Sequence, residues 1–206
     1  MQKPILCIGR SYGSGGREIG EKLAQKLAVP CYDKLLIEKA TRQSGIDAEV
    51  LSENDERLPS FMLSGNSFAD TASMMRSFYS ETQQVNDAVH ETILRLAGQG
   101  PCVFVGRCAS AVLKGADVLS IFVYADPKDC VARVMARNHI GEKEAQQRIR
   151  KVNRMRRQYY DFYSETLWGQ PESYDLMISS SKYGIDGCVE TILQSVSSWE
   201  AMKSHE

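Results

Sequence analysis

The sequence predicts an α/β fold, a mainly parallel five-stranded sheet with helices on both faces, opened by a phosphate-binding loop. Three observations carry that expectation. Five short apolar runs alternate with helical patterns, the arrangement that parallel strands joined by crossover helices require. The first run breaks at once into GRSYGSGGREIG, a glycine-crowded turn that leads into helical periodicity. At 206 residues the chain can bury one sizeable core, with an inserted lobe or lid rather than a second independent domain. We therefore expect one domain over 1–206, with its core in 1–44, 81–140 and 168–206 and an inserted lobe at about 45–80.

Taken in order, the expected strands are 4–9, 29–32, 102–105, 118–124 and 174–179. Val85, Ala88, Val89, Ile93, Leu96 and Ala97 recur at helical spacing, as do Ile185, Val189, Ile192, Leu193, Val196 and Trp199, so each set predicts a core-facing stripe. Asp126-Pro127 is a helix start with Asp as N-cap and Pro at the first helical position, opening a segment that runs to about Asn138. Between residues 45 and 80 the periodicity weakens among acidic residues, serines and a Pro-to-Gly stretch, which is where the inserted lobe is expected.

Composition removes several function classes. With 25 basic and 26 acidic side chains the net charge is −1, so no global field favours nucleic acid or membrane as a partner. The apolar runs fall far short of the roughly 20 residues a membrane span needs, and the N-terminus lacks the pattern of a signal peptide, so a cytoplasmic protein is expected. Six scattered cysteines without a C-x-x-C pair suggest neither a zinc site nor a disulfide framework. Most read as small core residues.

The glycine loop is the first candidate site. Gly13, Gly15 and Gly16 lack Cβ, so the chain can adopt positive φ and bring its amides to an anion, while the following helix adds the positive end of its dipole. Compared with G-x-x-x-x-G-K-[ST], with Gly15 in register, the next two residues are Gly16 and Arg17, so the lysine that reaches the β and γ phosphates is absent. We assign Gly13, Ser14, Gly15 and Gly16 to the donor phosphates and Arg17 or Arg10 to the missing charge, with Ser14 or Glu18 near a nucleotide-bound Mg²⁺. Two other readings stand beside this one. A dinucleotide motif G-x-G-x-x-G starting at Gly13 fails at Glu18, although Asp33 lies about where a ribose-binding acid belongs. The turn can also be purely structural and bind nothing.

Two further constellations concern arginine. Arg107 follows the third strand directly after Gly106, at the carboxyl edge of the sheet where ligands of open parallel sheets bind. Arg133 and Arg137 share a helix face, as do Arg150, Arg154 and Arg157, and Arg148 and Arg156 lie among them. Like charges at this spacing call for anions between them, and the arginine fork suits phosphate. The alternatives are a solvated face paired to Glu142, Glu144 and Asp161, or a nucleic-acid surface with Tyr159, Tyr160 and Tyr163, which one basic helix in a near-neutral chain supports weakly.

Together, GRSYGSGGREIG, CYDKLLI, CVFVGRCASAVL, IFVYADPKDCVARV, the arginine-rich segment and YDLMISSSKYGID resemble the cytidylate kinase-like family of P-loop proteins over nearly the whole chain. The resemblance implies a three-layer P-loop NTPase fold with strand order 2-3-1-4-5, makes the inserted segment at about 45–80 a helical acceptor lobe, and makes the segment at about 138–167 an arginine-rich lid. It places Asp33 at the aspartate of the D-[ST]-G-A segment of cytidylate kinases, although Lys34, Leu35 and Leu36 do not continue that segment. It places Arg107 at the arginine of D-G-R-D, which handles the acceptor phosphate. Both aspartates of D-G-R-D are replaced, by Val105 and Cys108, and the threonine of G-K-G-T is Glu18. In the lid, Arg150, Arg154 and Arg157 match the spacing of R-x-x-x-D-x-x-R with arginine at the carboxylate position.

The function expected is a nucleotide-dependent phosphotransferase that uses ATP with nucleotide-bound Mg²⁺ and a nucleoside monophosphate or related small acceptor. Arg107 would hold the acceptor, and Arg150, Arg154 and Arg157 would close over the transferring group. The alternative is a protein of the same fold that binds a nucleotide or other phosphorylated ligand with weak turnover or none.

Overall fold

Alternation along β1 (Ile5–Arg10) sets the layers of the molecule. Leu6 and Ile8 join Ile19, Leu23, Val105, Ile121, Val189 and Ile192 in one buried cluster, whereas Cys7 joins Val89, Ile93, Phe104 and Leu113 in another. A strand whose successive side chains enter two different cores is buried on both faces. A computed structural model of the chain describes residues 4–33, 37 and 71–203.

Five strands make one parallel sheet in the order β2-β3-β1-β4-β5, as the resemblance implies: β2 is Cys31–Tyr32, β3 Val103–Val105, β4 Val118–Tyr124 and β5 Leu176–Ser179. In register, Ile8 lies beside Val105 on one side and Ile121 on the other. One face is covered by α1 (Gly16–Leu27) and the C-terminal helix, Ser180–Lys203, which is interrupted at Gly184 (φ 66°, ψ 179°). The other is covered by α2 (Thr71–Ala97) and the short α3 (Ala109–Val112). Next along the chain come α4 (Pro127–Asn138) and α5 (Glu142–Tyr163), and the C-terminal helix completes the set as α6. No helix among the described residues is long and apolar enough to cross a membrane.

Both expected stripes are core. Val85, Val89, Ile93 and Leu96 of α2, and Val189, Ile192 and Val196 of α6, are buried. Four strand starts move inward, the first by one residue to Ile5. The second strand is two residues shorter than expected because Val29 donates its N–H to Ala24 O, closing the end of α1 behind left-handed Ala28, and Pro30 has no N–H to give. The third begins at Val103, one residue after the expected start. The fifth begins at Leu176 because Pro171–Ser173 forms a 3₁₀ turn and Tyr174 N–H is bonded within it. Asp126 does precede α4, but its side chain makes no capping bond; its N–H donates to Ser181 Oγ at 2.8 Å. Helix α2 starts at Thr71, inside the span set aside for a lobe, and the rest of 45–80 lies outside the described residues.

A third, aromatic cluster fastens the C-terminal half of α5. Tyr159 and Tyr160 are buried with Cys108, against Tyr163, Trp168 and Tyr174. Phe122 carries both Tyr174 and Trp168, with ring centroids 4.8 and 5.1 Å away. This packing holds α5 over the carboxyl ends of β1 and β3.

Candidate functional site

The chain leaves β1 through Ser11 and Tyr12 and turns at Gly13 (φ 88°) and Gly15 (φ 80°) before entering α1 at Gly16. Both positive φ values demand glycine, and at Gly13 space does as well: a Cβ there would lie 2.8 Å from Cys130 O and 2.9 Å from Cys130 Cα. Gly15 caps α1 with no side-chain bond, so the amides of Gly16, Arg17 and Glu18 open the helix without intrahelical partners. Left-handed turns followed by a free helix N-terminus make an anion cradle.

Long-range hydrogen bonds fix the cradle from behind. Ser14 is fully buried, and its hydroxyl donates to Ser11 O at 2.8 Å. Ser180, the first residue of α6, donates from Oγ to Ser14 O at 2.6 Å. Arg133 of α4 donates from Nη1 to Gly13 O at 3.2 Å and to Ser180 Oγ at 3.0 Å. From α5, Asn153 Oδ1 accepts the Tyr12 N–H at 2.7 Å, and Arg156 Nη1 donates to Arg10 O at 3.2 Å. The Tyr12 ring carries the Arg137 and Arg156 guanidinium groups at 4.9 and 5.6 Å from its centroid. The loop is therefore clamped by three elements distant in sequence.

Beside the loop, a cleft opens between the ends of β1 and β3 and the underside of α5. Its walls include Arg10, Arg107, Arg156, Ser110, Tyr159 and Trp168, and no carboxylate among the described residues lines it. Arg107 is buried at 5% exposure in a left-handed conformation (φ 58°), and the Arg10 guanidinium lies against Gly106, where a Cβ would collide with Nη1. The cleft has about 30 Å³ of free volume, room for a water or two. A roomier groove of about 630 Å³ separates α4 from α5, lined by Ser11, Cys130, Met135, Ile149, Arg150 and Asn153 among others.

The remaining candidates sort by position. Arg17 pairs with Asp33 (Nη2 to Oδ2, 2.9 Å) and with Glu21 (Nε to Oε1, 2.9 Å), and the bond it donates to Glu21 is the main reason its pKa is raised. Two residues assigned to donor and acceptor thus meet each other at the end of β2. Glu18, near the loop, lies 3.5 Å from Lys22. Arg148, Arg150, Arg154 and Arg157 are exposed; Arg157 lies over the Trp168 ring at 5.7 Å. Tyr12, Asn153, Arg156 and Ser180 hold the loop and were not among the expected site residues.

The cleft offers no thiolate from Cys7, which burial pushes far above its ordinary value, and burial also raises Cys130 behind the loop. Cys31 is pushed up to about 11 and Cys102 to about 12, both chiefly by burial. All six cysteines are free. Among the described residues no cluster of His, Cys, Asp and Glu is placed to hold a metal ion. The fit is to phosphate: backbone donors, a helix N-terminus and arginine.

Comparison with known proteins agrees with this geometry. The solved structure of an uncharacterized protein from Eubacterium ventriosum superposes with a TM-score of 0.74 at 26% identity, covering 95% of this chain and 99% of that one. A gluconokinase from Sinorhizobium meliloti shares the fold at a TM-score of 0.56 and 14% identity, covering 98% of this chain and 97% of its own. A cytidylate kinase from Archaeoglobus fulgidus is 28% identical over 134 residues, which is 61% of this chain and 70% of that protein. Residues 5–182 match the cytidylate kinase-like family, and the chain belongs to that family.

Proposed function

We propose that the protein transfers the γ-phosphate of ATP to a nucleoside monophosphate or a related small phosphorylated acceptor. Nucleotide-dependent phosphotransfer as the class of reaction rests on the family and on the P-loop kinase fold. The observation that carries the choice of acceptor is the cleft beside the loop, with Arg10, Arg107 and Arg156 in its walls. A hydroxyl acceptor calls for a base to take its proton, whereas a phosphate acceptor attacks through an oxygen that is already ionised. An arginine-walled cleft suits the second.

In this reading the amides of Gly13 to Glu18 bind the donor phosphates, with Ser14 shaping the turn from inside. Arg133 and Ser180 hold the loop carbonyls away from the incoming anion, so the donors face it without reorganisation. Arg107 holds the acceptor phosphate, and Asp33 is released from Arg17 to meet the acceptor nucleoside. The segment at about 138–167 moves as the lid, bringing Arg150, Arg154 and Arg157 over the transferring group, with Arg137 and Arg148 at its margins. ATP with Mg²⁺ supplies the phosphoryl group and neutralises part of its charge.

The test is direct. Purified protein with ATP, Mg²⁺ and each nucleoside monophosphate in turn should form ADP and the matching diphosphate with at least one acceptor, read by ³¹P NMR. Absence of ADP with every acceptor, in a protein that binds ATP, would establish the binding-only alternative, which the missing loop lysine and D-G-R-D aspartates favour.

A further inference from the structure

We infer that Arg10 and Gly16 are a reciprocal exchange of the cation and the glycine of a lysine-bearing phosphate loop, so that the loop's charge arrives from the strand side. This deepens the phosphotransferase reading above and rests on it. With Gly15 as the second glycine of G-x-x-x-x-G-K-[ST], the first glycine position falls on Arg10 and the lysine position on Gly16. Each of the two positions carries the other's kind of residue.

The structure supplies a steric reason. An ideal Cβ on Gly16 would lie 2.6 Å from Arg10 Cβ, closer than carbon atoms pack, with tight contacts of 3.2 Å to Arg10 Cγ and 3.3 Å to Val123 Cβ. Gly13 and Gly15 need glycine for their backbone conformation, but Gly16 is the first residue of α1 and has no positive φ. What excludes a side chain at Gly16 is the stem of Arg10. A side chain fits at one of the two positions and not at both, and here it is on the strand.

The exchange changes where the charge acts. A lysine at the start of α1 would reach the phosphates from the helix side of the loop. The Arg10 guanidinium lies instead against Gly106, in the wall of the cleft that also holds Arg107 and Arg156. Its charge meets the terminal phosphate of a donor from the side on which the acceptor binds. Arg17 is turned away toward Asp33 and Glu21.

The experiment uses the full chain and inorganic tripolyphosphate as probe, with affinity read by calorimetry and stability by thermal unfolding. Arg10→Gly should weaken tripolyphosphate binding on the order of 10- to 100-fold, the loss of one charge-assisted contact. Gly16→Lys alone should lower the unfolding midpoint. In the Arg10→Gly background the same lysine should cost less midpoint and regain part of the affinity. In the Arg10→Ala background, where the 2.6 Å Cβ contact persists, it should cost as much as in the wild type. Wild-type affinity in a folded Arg10→Gly protein, or an equal lysine penalty in all three backgrounds, overturns the exchange. If the variants behave as expected but no ADP forms with any acceptor, the exchange stands and the phosphotransferase reading falls. If ADP forms while Arg10→Gly binds undiminished, the reading stands and the exchange falls.

Discussion

Two sets of arginines surround the loop, and they differ in what their donors do. Arg133 and Arg156 point inward and give hydrogen bonds to main-chain carbonyls, those of Gly13 and Arg10. Arg150, Arg154 and Arg157 lie on α5 roughly a quarter turn from the Asn153 and Arg156 edge and face solvent. The inward set builds the cradle; the outward set is available to a ligand. Equal charge and helical spacing therefore conceal two jobs, and burial separates them. A guanidinium that ties a loop carbonyl in place stabilises the fold whether or not a nucleotide is bound, while one at the surface contributes little until an anion arrives.

The largest effect expected under this division comes from the loop that the inward set holds. Gly13→Ala forces a side chain into positive φ and drives its Cβ to 2.8 Å from the Cys130 carbonyl, which is backbone and cannot swing aside. Left-handed strain and overpacking together should cost about 2–4 kcal/mol, read from the urea midpoint at constant slope. A variant as stable as the wild type would show that the loop yields easily and needs no clamp.

Next in size is Arg133→Ala. It strips the donors from Gly13 O and from buried Ser180, and the loss should be about 1–3 kcal/mol in unfolding free energy. Because the cradle loosens, the thermal shift produced by ATP should shrink as well. A stability loss with an unchanged ATP shift would make Arg133 a support for α4 and β5 only.

The sequence disclosed the frame and the loop more readily than the clamp. Strand alternation, the Asp126-Pro127 start and the two apolar stripes are local patterns, and the five strands and α4 follow them. Positive φ at Gly13 and Gly15 was legible because glycine leaves a signature in the chain itself. The bond from Arg133 to Gly13 spans 120 residues and that from Ser180 to Ser14 spans 166, so neither has a local pattern to betray it. Arg156 did leave a trace: Val152 and Tyr159, four before and three after it, belong to the half of α5 turned toward the protein. Reading the arginines by their mutual spacing alone put Arg154 and Arg157 forward and passed over Arg156. The pairing of Arg17 with Asp33 likewise has no local pattern, since most of α1 and all of β2 lie between them in the chain.

The smallest effect on stability is expected at Arg154, and it is the sharpest test of the outward set. Arg154 is exposed on α5, so Arg154→Ala should change the unfolding free energy by no more than about 0.5 kcal/mol. If the lid closes over the transferring group, the same variant should lower kcat by about 10- to 100-fold with a smaller change in ATP binding, because the contact is made as charge develops and not in the resting complex. Unchanged turnover would leave Arg154 a surface charge, and the division between the sets would then be one of scaffold against solvent. A loss of stability comparable to that of Arg133→Ala would break the comparison at its other end, since it would mean that α5 depends on its outer face as much as on its inner one.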